Sequence, residues 1–208
     1  MIRFLAISLF FILTSCSLQT TEGLRQTELL LDEISNPYFE NQSIDYVYKA
    51  KIEVYNNNLG GILIIKKTSP KNHRIVMTTE FGGKLLDLEF DGNSFTKNFV
   101  IEELDRKFIL NVLKANFELL LIDKAVVVDA YESDIHRVFK TQNDKRFNFY
   151  FIKKSSKKLE KIVNTSKTKE KVEINFSSSD GEIAEGISIV YSNIKLKIDL
   201  EKFKEDAN

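Results

Sequence analysis

The sequence predicts an α+β domain: a strongly curved, incomplete antiparallel β-barrel of about 10–11 strands, with helices closing its concave side. Three observations lead there. Polar and apolar residues alternate through short segments divided by Gly-, Asn- and Asp-bearing turns, as in strands with one wet and one dry face. Two longer stretches, 21–35 and 104–122, carry apolar residues at helical spacing. Finally, so many half-polar strands need a cover for their dry face, and two helices suffice only if the sheet curls around them.

The elements follow in order. In 21–35, Leu24, Leu30, Leu31 and Ile34 fall within one helical arc, and Asn36-Pro37 ends the segment. From Tyr46 the period becomes two, giving strands at 46–55, 61–67, 73–80, 84–91 and 94–101. Asn56-Asn57-Asn58, Ser69-Pro70, Gly82-Gly83 and Asp91-Gly92-Asn93 supply the turns. In 104–122, Lys107, Asn111, Lys114 and Glu118 form one narrow polar stripe on an otherwise apolar helix. Strands resume at 135–141, 146–153, 159–165, 169–176, 186–191 and 194–200. No repeat and no Pro/Gly-rich linker divides the chain, so one domain is expected.

Composition narrows the function. The 208 residues carry 30 basic and 30 acidic side chains, a balance that argues against a general grip on nucleic acid. One Cys cannot form an intramolecular disulfide, and two His with no second Cys argue against a structural zinc site. The nucleophile elbow, phosphate loop, dinucleotide fingerprint and zinc-protease helix are all absent from the sequence. Asp134 and His136, two apart on a strand, offer an acid–base pair with no third partner. His73 reads as a solvated or hydrogen-bonded loop histidine. No enzyme, metal or cofactor is expected.

Two further features point to membranes. Arg3 precedes the apolar run 4–13, which is too short to span a bilayer, since that takes about 20 residues, but suits an export signal. Leu13-Thr14-Ser15-Cys16 resembles a lipoprotein lipobox, which implies a signal peptide over 1–15, acylation of Cys16 and a mature domain over 16–208. Ser17, in place of the Asp that retains proteobacterial lipoproteins in the inner membrane, resembles an outer-membrane address. Residues 140–172 hold eleven basic and three acidic side chains. They read either as solvated strand edges or as contacts for anionic headgroups or an acidic partner.

The stretch 59–67, LGGILIIKK, and the segment 73–91 containing FGGKLLDLEF at 81–90 are similar to the LolB family of outer-membrane lipoprotein receptors. The alternating IKLKID at 194–199 resembles that family's last strand. The chain departs from the family pattern in having Glu-Phe-Gly where a Pro-Leu-Gly type loop is usual, and in having no Trp. The resemblance implies a LolA/LolB-like half-open barrel that accepts lipoprotein acyl chains from a periplasmic carrier and inserts the lipoprotein into the outer membrane. It implies a lipid-anchored monomer facing the periplasm, with Phe81, Gly82 and Gly83 as the membrane-insertion loop. Leu86, Leu88, Phe90, Phe99, Phe117 and Phe149 are the candidate lining of the acyl-chain cavity. Two alternatives share the architecture: a half-barrel that binds free lipid or glycolipid, and a structural envelope lipoprotein without transfer activity.

Overall fold

The structure, a computed structural model, describes residues 18–55, 57–92 and 94–203. The expected signal peptide and Cys16 lie outside the described residues. Two antiparallel meanders make up the chain. The first runs through β3 (Asp45–Val54), β4 (Asn57–Ser69), β5 (Asn72–Thr78), β6 (Lys84–Asp91) and β7 (Phe95–Val100). A helix, α1 (Lys107–Leu120), follows. The second meander comprises β8 (Ala125–Glu132), β9 (His136–Asn143), β10 (Arg146–Lys153), β11 (Leu159–Thr165), β12 (Glu170–Ser177), β13 (Gly186–Tyr191) and β14 (Leu196–Lys202). Strand β14 pairs antiparallel with β3, from Leu196↔Val54 to Lys202↔Tyr48, and so joins the two meanders into one sheet. Two short strands, β1 (Arg25–Thr27) and β2 (Glu33–Ile34), both pair with β8. The order is β1-β8-β9-β10-β11-β12-β13-β14-β3-β4-β5-β6-β7, which with β2 beside β8 makes an open sheet of 14 strands among the described residues.

The strand periods read in the sequence match these elements closely, but the segment 21–35 does not form a helix. A 3₁₀ turn (Gln19–Thr21) leads into it, and its residues then make the strands β1 and β2. Gly23 sits at φ +73°, a left-handed conformation that interrupts any helix. The segment also supplies what the free edge of β8 needs, as where Val127 N–H donates to the Asp32 carbonyl at 2.9 Å. Sheet pairing therefore overrides local amphipathicity. Strand β8, absent from the sequence reading, begins four residues after Leu121 with no turn signal before it.

The sheet curls tightly, and neighbouring residues of one short turn demonstrate it. Pro37–Phe39 is a 3₁₀ turn on the core side. The Tyr38 hydroxyl donates to the Leu159 carbonyl of β11 at 2.6 Å, and His73 Nε2 of β5 donates to the Phe39 carbonyl at 3.3 Å. Strands β11 and β5 are six steps apart in the sheet order, about 29 Å if flat. Adjacent residues bridge both only because the sheet bends round them. The helix makes a similar span: Asn116 Oδ1 accepts from Tyr191 of β13, while Phe117 stacks edge-on to Phe90 of β6 at 6.1 Å.

The main core is continuous through both meanders, the 37–39 turn and α1. The helix presents Ile109, Leu113, Phe117 and Leu120 inward, and Lys107, Asn111 and Glu118 lie exposed along its outer stripe, as their spacing predicts. Gly61 in β4 lets β5 approach: a Cβ there would sit 1.9 Å from the Thr78 carbonyl oxygen. A second, smaller cluster of Val138, Phe149, Phe151 and Val163 lies apart from the main core, with Leu18 and Leu24 packed over it. Among the described residues no helix is long and apolar enough to cross a membrane.

Candidate functional site

The proposed insertion loop is a tight turn between β5 and β6. Thr79 N–H donates to the Gly83 carbonyl at 2.7 Å, Gly82 N–H to the Thr79 carbonyl at 3.0 Å, and Gly83 N–H to Thr79 Oγ1 at 3.0 Å. Gly82 takes φ +84°, which glycine adopts without strain. This geometry throws Phe81 outward, and its side chain is 99% exposed. The Phe81 side chain is therefore free to be buried against another surface, which apolar burial would favour.

The six expected cavity residues divide. Leu86, Leu88, Phe90 and Phe117 come together, all buried, in the main core. They pack against other side chains, so this part of the interior is filled. Phe99 stands opposite Asp87 on β6, 41% exposed, with Lys84 Nζ 5.9 Å from its ring centre. Phe149 is on the opposite face of β10 from Tyr150 and belongs to the smaller cluster. The physical reason is parity: successive strand residues face opposite sides, so a one-residue choice of register sends Phe147, Phe149 and Phe151 to the outer face together.

Asp134 and His136 do not form a pair. Asp134 is fully solvated, whereas His136 Nε2 lies 2.9 Å from Glu160 Oε2, and Lys153 holds the other Glu160 oxygen at 2.8 Å. The Lys153 hydrogen bond is the main cause of a lowered Glu160 pKa. His73 is a buried strand residue rather than a loop one, and burial lowers its pKa. The basic run at 140–172 is partly neutralised on the protein itself: Lys140 pairs with Asp129, Lys153 with Glu160, Lys154 with Glu132 and Lys161 with Glu173.

What the sequence reading missed is an apolar cleft of about 660 Å³ between residues 30–37 and the strands β9, β10 and β11. Ile34, Phe139 and Leu159 form buried parts of its wall; Leu30, Leu31 and Ile152 continue it outward. Leu29, Leu30 and Leu31 are 50%, 57% and 47% exposed, an unbroken apolar run facing solvent. Its size falls within the usual range for small-molecule pockets, and its mostly apolar wall with few polar groups is their usual chemistry. Its charged groups are mostly cationic, Arg137, Lys154 and Lys157 against Glu33, and Ser35 is the neutral polar member. Glu33 already accepts from Lys124 at 3.0 Å. The sequence signal was available in three consecutive leucines, which suit an exposed extended edge better than a helical stripe spaced by three and four.

No family model matches the chain, and no curated protein matches it. Among solved structures, it is similar to a LolA superfamily protein from Nitrosomonas europaea, with a TM-score of 0.51 over 83% of this chain and 91% of that one. The two are 6% identical. The likeness establishes a LolA-like fold: a mostly antiparallel open sheet with one helix among the described residues.

Proposed function

We propose that this chain is a lipid-anchored, non-enzymatic acceptor of lipoprotein acyl chains, which receives acylated lipoproteins from a periplasmic carrier and passes them to the outer membrane. The observation that carries this reading is the apolar cleft entering a curled, open sheet of LolA-like fold. Phe81, projecting from its turn, suits the inserting role. Acylation at Cys16 would hold the chain at the bilayer, because each buried CH₂ of an acyl chain contributes about 0.8 kcal/mol.

The test uses the mature chain carrying Cys16→Ala, mixed with the periplasmic carrier loaded with an acylated lipoprotein. Pull-down should find the lipoprotein transferred to this chain. Cargo that stays on an otherwise competent carrier overturns the acceptor role. Phe81→Ala in the acylated protein should leave acceptance intact and reduce insertion into liposomes; equal insertion by both proteins removes the loop from the mechanism. A fully exposed side chain contributes little to folding, so stability should change by less than about 0.5 kcal/mol.

The packed interior supports a second reading. With Leu86, Leu88, Phe90 and Phe117 filling the space beside the helix, the cleft alone would serve as a site for free lipid. Copurified lipid together with no response to the loaded carrier would favour it.

A further inference from the structure

The cleft carries charge where an apolar acyl site has no need of it. Arg137 faces the same side of β9 as Phe139 and lies opposite Glu132 in the β8–β9 register. One Glu132 oxygen accepts from Lys154 at 3.0 Å and the other lies 3.7 Å from Arg25, so Glu132 feels the Arg137 charge without accepting a hydrogen bond from its Nε. The Arg137 Nε is left buried with no hydrogen-bond partner among the described residues. A buried guanidinium N–H without an acceptor is costly, and a bound anion would satisfy it. Lys157, at φ +62° in the β10–β11 turn, brings a second cation to the same cleft.

We propose that the cleft binds a single-chain lipid ending in an anion, its hydrocarbon along Leu30, Leu31, Phe139 and Ile152 and its carboxylate or phosphate at Arg137 and Lys157. This rests on the second reading, a cleft that binds free lipid, and deepens it. The acyl groups of a lipoprotein carry no charge at their ester and amide carbonyls, so the site selects for a lipid with an ionised headgroup.

Nile red, a neutral apolar dye, serves as the reporter on the purified full chain at neutral pH. Dodecanoate and 1-dodecanol, equal in chain length and differing in charge, compete for it, and lauroyl lysophosphatidylglycerol forms a third arm. Dodecanoate should displace the dye at about one-tenth the concentration that 1-dodecanol requires, since a charge-assisted hydrogen bond is worth about a factor of ten. Tighter displacement by the lysophospholipid than by dodecanoate identifies a phospholipid headgroup as the anion; the reverse identifies a free fatty acid. In Arg137→Gln/Lys157→Gln the dodecanoate and 1-dodecanol curves should converge, with the 1-dodecanol curve unmoved. Equal displacement by the two in the native chain overturns the anion site and leaves acyl binding standing. Failure of every competitor overturns acyl binding in the cleft, and the anion site with it.

Discussion

Asp87 shows how one charge is kept inside a sheet. It lies on β6 on the face opposite Leu86 and Leu88, nearly sealed from solvent. Arg74 of β5 grips it with two hydrogen bonds of 3.0 and 2.9 Å, and Lys84 adds a third at 3.2 Å. The Arg74 pair is the main reason its pKa falls to about 2 from the ordinary 3.8. A carboxylate whose pKa drops on folding stabilises the fold fully above its unfolded pKa and loses that contribution as pH falls through the folded one. Urea unfolding should therefore show stability declining between pH 4 and pH 2. Asp87 accounts for about 1–2 kcal/mol of the decline, after allowing for the half-exposed Arg74. In Asp87→Asn that part of the slope should disappear; an unchanged slope would mean that other carboxylates cause it.

Strand β10 separates two environments at the level of the element. Tyr150 turns into the main core, while Phe149 and Phe151 turn outward to Val138 and Val163. An outward aromatic row would be a liability on a solvated sheet, but Leu18 and Leu24 cover it. Lys161 Nζ stands 4.6 Å from the Phe151 ring centre and Lys140 Nζ 4.7 Å from that of Phe147, which adds cation–π attraction at the rim. Phe149→Ala should cost about 3 kcal/mol, read from the shift in denaturant midpoint, because the cluster is small and closes poorly over a void. It should leave lipid binding unchanged. Lost binding at native stability would return Phe149 to the ligand's path.

Over the whole molecule, the β14–β3 pairing and the shared core make the two meanders one structure. Residues 37–39 hold β5 and β11 together, and α1 touches both β6 and β13. Neither meander buries its dry face alone, so thermal unfolding should be a single transition. With no Trp in the chain, near-UV circular dichroism of the buried tyrosines reports it, and the far-UV signal should follow the same curve. Two separated transitions would mean that the meanders fold as independent units.

The strands of the two meanders other than β8 were legible in the sequence because alternation and turn residues act locally: the IKLKID segment and FGGKLLDLEF need no distant partner to declare their period. The helix declared itself through its polar stripe of Lys107, Asn111, Lys114 and Glu118, and Phe81 through the two glycines after it. Three things depended on the tertiary structure. Residues 21–35 place apolar side chains at helical spacing, and the left-handed Gly23 and the open edge of β8 override that pattern. Phe149 has the same alternation in either register, so its face is set by which neighbour covers the sheet. The cleft draws Leu30, Arg137, Phe139 and Lys157 from segments far apart in the chain, and beyond the leucine run 29–31 nothing along the sequence announces that they meet, because they do so only through folding.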